Sequence, residues 1–562
     1  MVSAAMSRPG SASSVAQQIC ADRTVLGFIR VIESSMSDSS LIFGAGDCNL
    51  TRNSMTTSEH QVQRTIEVRS PADGRSIGSV PDEGPAQVRA VAATLRAAQP
   101  EWEDLGPDGR KRVLLRWANW FLDNERRLGE LVQAESGKAW VDAALEPTLS
   151  VDLINHYARH ARKYLSPRKV RRHSLIGLTK RLEVRYRPYP LVGIITPWNG
   201  PIGAPILDTV AALMSGAALL TKPSEVTPLA WREAVRGFVE DVSGPQVLAC
   251  VTGGAAAGSA VVDEVDMVMF TGSTRTGRGI AQRCAERLIP CSLELGGKDP
   301  MIVLADANID RAVQAAVWGA MFNSGQACVS VERVYVEAPA YDEFVAKATA
   351  AVRAIRQGTD TPGAFEFEVG AMATPAQLEL VERHVRDAVE HGARITVGGH
   401  RWESGNYFEP TVLVDVDHSM ICMREETFGP TLPIMKVADE AEAVELANDS
   451  DYGLSASVFA GDLKRARRVS ARLEVGAVNL NNALVNLFHF NLPQGGWKQS
   501  GLGSRFGGAA GLLKFCRTQA VVSDRLSTKE LYWFPTSARR GQMIARAARF
   551  MGAHDWRRRL GR

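Results

Sequence analysis

Two short motifs place a nucleophile and a base in one stretch of the chain, residues 292–332. Glu294 stands between apolar residues and a glycine pair, and Cys328 follows thirty-four residues later, directly after Gly325-Gln326-Ala327. A cysteine thiolate can attack a carbonyl carbon, and a partly desolvated carboxylate can take a proton from water. The pair therefore predicts a covalent acyl-transfer site in which water releases the product. A lone cysteine is more often a small buried hydrophobe, so this prediction depends on the rest of the chain.

Length and composition bound the class of protein. With 562 residues the chain exceeds one ordinary domain, and we expect two or three. Lys and Arg total 65 against 62 acids, a net charge of +3, which supplies no field for nucleic acid and predicts no such partner. The eight cysteines show no CxxC or Cys/His metal spacing. They predict reduced thiols, a cytoplasmic location and no metal site.

The start of the chain carries no strong structural pattern. Residues 1–59 are rich in Ser and Ala, and they predict a disordered N-terminal extension, with Met55 as an alternative start. The apolar stretch 25–32 is broken by Arg30, which argues against a secretory signal. No apolar run reaches the roughly 18–20 residues that a membrane helix needs.

Short apolar strands alternate with helical patterns in the middle of the chain. Each strand ends in glycine or polar residues, and the runs are 190–195, 217–221, 247–252 and 267–271. This alternation predicts an α/β fold with a doubly wound parallel sheet and ligands at the carboxyl ends of its strands. A second α/β region is expected after Cys328, up to about residue 483.

Two segments are candidates for contacts outside the subunit. Residues 171–188 and 513–522 alternate apolar and polar residues, which predicts half-exposed strands that pair with another subunit. The tail, 537–562, is a basic helix whose apolar face is mostly alanine. Such a helix can lie on an anionic membrane. Docking on the body or on a neighbouring subunit is the favoured interpretation, because alanine gives little burial energy.

Seven motifs occur in an order and spacing that resemble the NAD(P)-dependent aldehyde dehydrogenase superfamily, over about residues 66–527. They are Thr196–Asn199, Lys222–Glu225, Phe270–Thr274, Glu294–Lys298, Gly325–Cys328, Glu425–Pro430 and Gly495–Gly503. The resemblance implies that Cys328 forms a thiohemiacetal with the aldehyde. It also implies that the Asn199 amide and the Cys328 backbone N–H hold the oxyanion, and that Glu294 activates the water that releases the acid. An acid at 294 favours release to water over transfer to coenzyme A.

The same resemblance implies a site for NAD, with NADP as the alternative. Lys222 and Glu225 would face the adenosine ribose, Ser273 and the following helix the pyrophosphate, and Glu426 the nicotinamide ribose beside Phe428. The remaining expected cofactor residues are Thr196, Pro197, Trp198, Ser224, Gly272 and Gly296. Glu225 puts a carboxylate where a 2′-phosphate would sit, which favours NAD because like charges repel. Gly296, Gly297, Gly495 and Gly496 are also expected to serve tight turns and close packing, and Trp198 and Phe428 are equally compatible with core positions.

The family architecture implies three parts. They are a cofactor domain over residues 60–168 and 189–295, a catalytic domain over 296–500, and oligomerisation strands at 169–188 and 515–530. A homodimer or homotetramer is expected, since these strands would otherwise leave exposed edges.

The sequence leaves the substrate open. The expected funnel residues are Gly200, Gly203, Leu207, Ala327, Val329 and the loop 482–491, with His489 as the only candidate cation and no Arg or Lys. That set favours an uncharged aliphatic or aromatic aldehyde. Several segments and the tail nevertheless resemble the bacterial succinate-semialdehyde dehydrogenase-like branch, which makes succinate semialdehyde the named candidate. That branch shares Asp208, where many family members have a lysine. A thiol esterase without redox chemistry is the alternative of another class.

Overall fold

Strands of the predicted apolar, buried type build the framework of this chain. The structure is a computed structural model that describes residues 64–172, 179–526, 529–530 and 532–561. The predicted N-terminal extension, with Met55, therefore lies outside the described residues. The strands are β1 (Thr65–Arg69), β2 (Ser76–Pro81), β3 (Arg168–Val170), β4 (Lys180–Pro188), β5 (Leu191–Ile195), β6 (Ala218–Lys222), β7 (Leu248–Cys250), β8 (Met267–Thr271), β9 (Cys291–Glu294), β10 (Asp299–Val303), β11 (Val331–Glu337), β12 (Arg394–Val397), β13 (Thr411–Val414), β14 (Thr431–Val437), β15 (Tyr452–Gly453), β16 (Ser455–Phe459), β17 (Ala477–Leu480), β18 (Trp497–Lys498), β19 (Gly501–Leu502) and β20 (Cys516–Asp524).

Helices connect and cover these strands. They are α1 (Pro85–Asp104), α2 (Gly106–Asp123), α3 (Glu125–Ser136), α4 (Trp140–Leu165), α5 (Gly203–Ser215), α6 (Leu229–Arg236), α7 (Ala255–Glu264), α8 (Thr274–Glu286), α9 (Ile309–Met321), α10 (Ala338–Arg353), α11 (Pro375–Glu390), α12 (Ile421–Arg424), α13 (Glu440–Asn448), α14 (Leu463–Ser470), α15 (Gly508–Leu513), α16 (Ala538–Gly552) and α17 (Trp556–Arg559).

The first large sheet has six strands in the order β19-β9-β8-β5-β6-β7. The strands β5 to β9 are parallel, and β19 pairs antiparallel with β9. Strands β5, β6 and β8 are buried along their whole length, because helices cover both faces of a parallel sheet. The chain leaves β5 towards β6 and β7, then returns to the other side for β8 and β9. The predicted doubly wound α/β sheet is therefore confirmed, with its topological switch point between β5 and β8.

The second large sheet has seven strands in the order β12-β13-β14-β11-β10-β16-β17. All its neighbours pair in parallel except β12, which runs antiparallel to β13. The chain passes directly from the carboxyl end of β9 to the amino end of β10 through residues 295–298. This short passage brings the carboxyl edge of the first sheet next to the amino edge of the second.

A three-stranded antiparallel sheet, ordered β20-β4-β3, lies outside these two. Its strands β4 and β20 pair from Lys180 with Asp524 to Pro188 with Cys516. The prediction that Leu513 begins a strand is wrong, because residues 508–513 form α15 and the strand starts at Cys516. Most of β20 is exposed. The subunit-pairing role of these strands, like the three-part domain division, stays a prediction.

The C-terminal helices are not packed on the body. Docking on the body or on a neighbouring subunit was the favoured interpretation of the tail; neither α16 nor α17 has a buried residue in the single chain, and docking on a neighbouring subunit stays a prediction. The helices and strands of the body already fill its core. An arginine-rich helix with a narrow apolar face would therefore gain little burial energy by packing against it.

Candidate active site

The two facing sheet edges bring the predicted motifs together. Residues that end β5, β6, β8 and β9 are adjacent in the register, as shown by the pairs of Ile195 with Lys222, Ile195 with Phe270, and Thr271 with Glu294. The segments before β11 and β14 approach the same place from the second sheet and carry Cys328 and Glu426. The sheets thus place the predicted cofactor and catalytic residues around one crevice.

Glu294 is the last residue of β9 and only 3% exposed. Burial raises the pKa of its carboxyl to about 7, and the nearby charges of Arg505 and Lys514 oppose that rise. Its Oε1 atom is buried and has no hydrogen-bond partner among the described residues. A carboxylate with this pKa and a free acceptor atom is suited to take a proton near neutral pH.

Cys328 is partly buried and lies in the connection between α9 and β11. Burial raises the pKa of its thiol to about 12; Arg505 lowers it, while the charge of Glu294 raises it. The thiol is therefore protonated at neutral pH, and a thiolate requires a base nearby.

A strained turn fixes the backbone before Cys328. Asn323 and Ser324 both have left-handed φ angles, of 54° and 56°. The Asn323 side chain donates to the carbonyl oxygens of Asn199 and Gln326, each at 2.9 Å. Strain of this kind persists only where surrounding contacts hold it, and it is common at functional sites.

Asn199 is tied to the same turn. Its Nδ2 donates to the carbonyl oxygen of Gln326 at 2.8 Å. The side chain of Gln326 is in turn held by Asn323 and by the backbone N–H of Ala373. The Asn199 amide is thereby fixed beside the segment that carries Cys328, as an oxyanion donor has to be.

Two buried acids on α4 hold the surrounding loops, and the sequence analysis missed them. Asp142 accepts a hydrogen bond from the backbone N–H of Asn323 at 2.9 Å. One turn later, Glu146 accepts from the backbone N–H groups of Ile202 and Gly203 at 2.8 and 2.7 Å. The sequence feature that could have revealed these two acids is their spacing of four residues, which places both on one helix face.

The glycine pair after Glu294 serves close packing, as expected. A Cβ atom on Gly296 would lie 2.4 Å from Oε2 of Glu426, and one on Gly297 would lie 2.4 Å from the carbonyl oxygen of Cys328. The Gly297 N–H donates to Oε1 of Glu426 at 2.9 Å. Only glycine lets these three segments approach so closely.

The loop with Glu426 and Phe428 is held in place by the buried pair of Glu332 and Lys298. Glu332 accepts hydrogen bonds from the backbone N–H groups of Thr427 and Phe428, and its carboxylate lies 2.6 Å from the buried ammonium of Lys298. Burial and the charge of Glu332 raise the pKa of Glu426 to about 8. The Phe428 ring meets the ring of Trp198 edge to face at 5.6 Å, so both aromatic residues belong to the crevice and not to a closed core.

The predicted cofactor residues of the first sheet lie along its carboxyl edge. Lys222 ends β6, is buried, and lies 3.1 Å from the half-exposed Glu225. Ser224 lies between them and is buried, with its Oγ accepting from the N–H of Val226. Ser273 is the N-cap of α8 and accepts from the N–H of Thr276.

These residues fit a dinucleotide. Thr196 and Thr271, which follow β5 and end β8, each have a buried hydroxyl with no hydrogen-bond partner among the described residues. Both hydroxyls lie at the switch point, where a bound ligand would satisfy them. The N-terminus of α8 at Ser273 offers unpaired N–H groups for a phosphate.

One cavity of about 360 Å³ joins most of the predicted site. Its wall includes the predicted Pro197, Trp198, Asn199, Gly272, Ser273, Gly296, Cys328, Glu426 and Phe428. The predicted Thr196, Lys222, Ser224, Glu225 and Glu294 are outside the set of lining residues. The two residues that follow Glu294, Leu295 and Gly296, do line the cavity.

The funnel prediction was partly wrong. Gly200, Gly203, Leu207, Ala327 and Val329 line the cavity as expected, but His489 is exposed and outside the lining set. Two cations line it instead, Lys138 and Arg505. Lys138 is paired with Glu146. Arg505 lies two residues after the motif Gly495–Gly503. Because it is outside the motif, the sequence did not predict that it lines the cavity.

Arg505 belongs to a buried charged group with Asp208 and Lys514. Lys514 Nζ lies 2.7 Å from Oδ1 of Asp208, and Arg505 Nε lies 3.8 Å from Oδ2. The charges of all three residues affect the pKa of Glu294. The group therefore surrounds Glu294 with two cations and one further acid.

No group of three or more His, Cys, Asp or Glu side chains in the described ranges is arranged to hold a metal ion. The site brings together a candidate cysteine nucleophile, a buried carboxyl group and an amide donor, beside a Rossmann-type edge suited to a dinucleotide. Fold and site together indicate a dinucleotide-dependent oxidoreductase.

Comparison with known proteins assigns the family. The sequence profile of the Aldehyde dehydrogenase family matches residues 57–521. The "4,4'-diapolycopene aldehyde oxidase" of Methylomonas sp is 39% identical over 477 residues, which covers 84% of this chain and 89% of that protein. A Mycobacterium tuberculosis protein named "Putative succinate-semialdehyde dehydrogenase (NADP(+)) 2" is 40% identical over 471 residues, covering 81% of this chain and 87% of that one.

A solved structure gives the same result. The "Putative Aldehyde Dehydrogenase PutA" of Anabaena variabilis has a TM-score of 0.79 and 37% identity, and the match covers 84% of this chain and all of that chain. This chain belongs to the aldehyde dehydrogenase family. It is an NAD(P)-dependent oxidoreductase that acts on aldehydes, which confirms the resemblance seen in the motifs.

Proposed function

We propose that this enzyme oxidises an uncharged, apolar aldehyde to the carboxylic acid through a thioester on Cys328. The observation that carries the proposal is the composition of the cavity wall that includes Cys328. Seven large apolar residues line it: Leu145, Leu149, Leu207, Phe322, Leu487, Phe488 and Phe490. Apolar walls of this extent recognise substrates by burying their hydrocarbon, at about 0.8 kcal/mol per methylene.

The first half of the reaction forms the covalent adduct. A base removes the proton from the Cys328 thiol, and the sulfur attacks the aldehyde carbon to give a thiohemiacetal oxyanion. The Asn199 amide and the Cys328 backbone N–H donate hydrogen bonds to that oxygen. Collapse of the adduct expels a hydride and leaves a thioester. NAD(P), when bound, supplies the acceptor for this hydride.

The second half hydrolyses the thioester. Glu294 takes a proton from water, the resulting hydroxide attacks the acyl carbon, and the C–S bond breaks to return the thiol and release the acid. A pKa near 7 and an unoccupied acceptor oxygen support Glu294 in this role. The overall balance is one aldehyde, one oxidised cofactor and one water converted to acid, reduced cofactor and a proton.

The chain's own residues would hold the cofactor as the family motifs imply. Lys222, Ser224 and Glu225 would contact the adenosine ribose, and Ser273 with Gly272 the pyrophosphate. Glu426, beside Phe428 and Trp198, would contact the nicotinamide ribose, and Thr196, Pro197 and Gly296 would complete the walls. We further expect a homodimer or homotetramer located in the cytoplasm.

Succinate semialdehyde is the second candidate substrate. It is supported by the relatives named for that activity at about 40% identity, and by Arg505, whose Nε is buried without a hydrogen-bond partner among the described residues. A carboxylate on the substrate would meet this guanidinium. The proximity of Asp208 weakens the case, since it already neutralises part of that positive charge.

A chain-length series distinguishes the candidates. NAD(P)H formation is measured with propanal, hexanal, decanal, benzaldehyde and succinate semialdehyde, with each cofactor. If the apolar wall selects the substrate, kcat/KM rises by up to about fourfold per methylene, and Leu149→Asn flattens the rise while leaving propanal unchanged. Preference for succinate semialdehyde, with a KM raised by Arg505→Gln, would establish the second candidate.

Cys328→Ala is the control for every substrate. We expect it to abolish oxidation and retain cofactor binding. Ester hydrolysis by the wild-type protein, with no aldehyde oxidised by either cofactor, would instead identify a thiol esterase.

A further inference from the structure

The C-terminal segment, residues 532–561, presents large apolar and cationic side chains to solvent. Neither of its helices has a buried residue. Phe534 is 86% exposed, and Trp533, Phe550 and Trp556 are more than half exposed. Aromatic side chains in such numbers are rarely left in water unless they bind something.

Helix α16 gathers its apolar residues on one side. This apolar stripe consists of Met543, Ile544, Ala547, Phe550 and Met551. Arg549 lies opposite the stripe and Arg546 flanks it, while Arg540, in the first turn, lies within the stripe and Arg539 lies at its edge. Phe550 makes this stripe more apolar than the alanine-rich face described from the sequence. The helix is therefore an amphipathic one with a cationic side.

The positive charge of the segment is not neutralised within it. Residues 532–561 contain seven arginines and one acid, Asp555, a net charge of +6 in a chain whose total is +3. Asp555 already caps α17 and pairs with Arg558. The rest of the chain is thus slightly acidic, and the charge available for an anionic partner is concentrated at this one end.

We propose that segment 532–561 docks this enzyme on the surface of an anionic lipid bilayer. The stripe of α16 would enter the boundary between headgroups and acyl chains, and the arginines would contact lipid phosphates. Exposed Trp533 and Trp556 are suited to the same interface. Within the described ranges no helix is long and apolar enough to span a membrane, so the contact lies on the bilayer.

A symmetric contact between this segment and the same segment of a second copy is disfavoured by charge. Two copies would bring seven arginines each and one acid each into one interface. Like charges of this density repel. An anionic bilayer, in contrast, complements both the arginines and the apolar stripe.

Vesicle flotation of the full-length protein tests the proposal. We expect the protein to float with vesicles of phosphatidylcholine and phosphatidylglycerol, to stay behind with phosphatidylcholine alone, and to dissociate as salt rises. Arg546→Gln with Arg549→Gln should weaken binding about thirtyfold, since each arginine near such a surface contributes a factor of about five. The matched control is Arg467→Gln with Arg468→Gln, two exposed arginines of α14, which should bind as wild type.

A second pair of variants tests the apolar stripe. Phe550→Ser should weaken vesicle binding about tenfold, whereas Phe365→Ser, which removes a body phenylalanine of equal exposure (56% against 55%), should not. Oxidation of propanal in solution checks that each variant is folded. Failure of the wild-type protein to bind anionic vesicles would overturn the proposal. Vesicle binding that neither α16 variant weakens would also overturn it. The proposal would equally fail if light scattering showed that these variants lose subunit association while the protein binds no vesicles.

Discussion

The ammonium of Lys514 lies 2.7 Å from a carboxylate oxygen of Asp208, and both side chains are buried. Lys514 directly follows α15, and its positive charge acts on the pKa of the Glu294 carboxyl. Arg505 completes the group at 3.8 Å from the second oxygen of the same carboxylate.

Removal of the Lys514 ammonium should destabilise the fold. Lys514→Met leaves Asp208 charged and buried, and breaking a buried pair in this way costs about 3–5 kcal/mol in the free energy of unfolding. Urea unfolding followed by circular dichroism measures the loss. The control is Lys347→Met, which breaks exposed pairs with Asp310 and Glu343 of nearly equal length, 2.6 Å each, and should change stability far less because solvent screens them. Equal losses in the two variants would contradict the buried arrangement.

Glu294→Gln should separate the two halves of the reaction. The amide cannot take a proton from water, so the thioester should accumulate. We expect a burst of one reduced cofactor per active site, followed by a steady-state rate lowered by about 10²–10⁴-fold. Stopped-flow absorbance measures the burst, and mass spectrometry detects the acylated cysteine. A variant without any burst would show that the carboxyl is needed before the thioester forms.

The pH dependence should follow the Glu294 carboxyl. Burial raises its pKa to about 7, and the base is active only when ionised, so the rate of thioester hydrolysis should rise with pH through about 7. The charge of Arg505 lowers that pKa, so Arg505→Gln should raise it and move the acidic limb to higher pH. Arg353→Gln, which changes an exposed arginine at the end of α10, should leave the profile unchanged. A limb that moves to lower pH in the Arg505 variant would contradict this electrostatic arrangement.

The choice between NAD and NADP should depend on Glu225. Its carboxylate is half exposed, lies 3.1 Å from Lys222, and would repel a 2′-phosphate. Glu225→Ser should shift the ratio of kcat/KM values towards NADP by about tenfold, the effect of one like-charge contact in a partly solvated site. Glu240→Ser removes an exposed acid of the neighbouring surface and should change neither value. An unchanged NADP preference in the Glu225 variant would mean that the phosphate binds elsewhere.

The parts of this protein that depend on local sequence could be predicted. Apolar runs such as 267–271 are strands wherever they lie, and the motifs around Glu294 and Cys328 carry their chemistry in a few adjacent residues. Boundaries were less certain, as at Leu513, where a helix turn precedes the strand and both share apolar residues.

The sequence by itself predicted the family and the doubly wound sheet, both confirmed, and it named Cys328 and Glu294 as the candidate nucleophile and base, because each follows from short-range patterns and their order. Only the tertiary structure decided which charges surround Glu294, since Asp208 lies 306 residues before Lys514 and meets it and Arg505 only through packing. It also decided that Arg505 and not His489 lines the cavity, and that the tail helix stays uncovered. Burial and electrostatic environment are properties of the folded chain, and a linear pattern does not specify them.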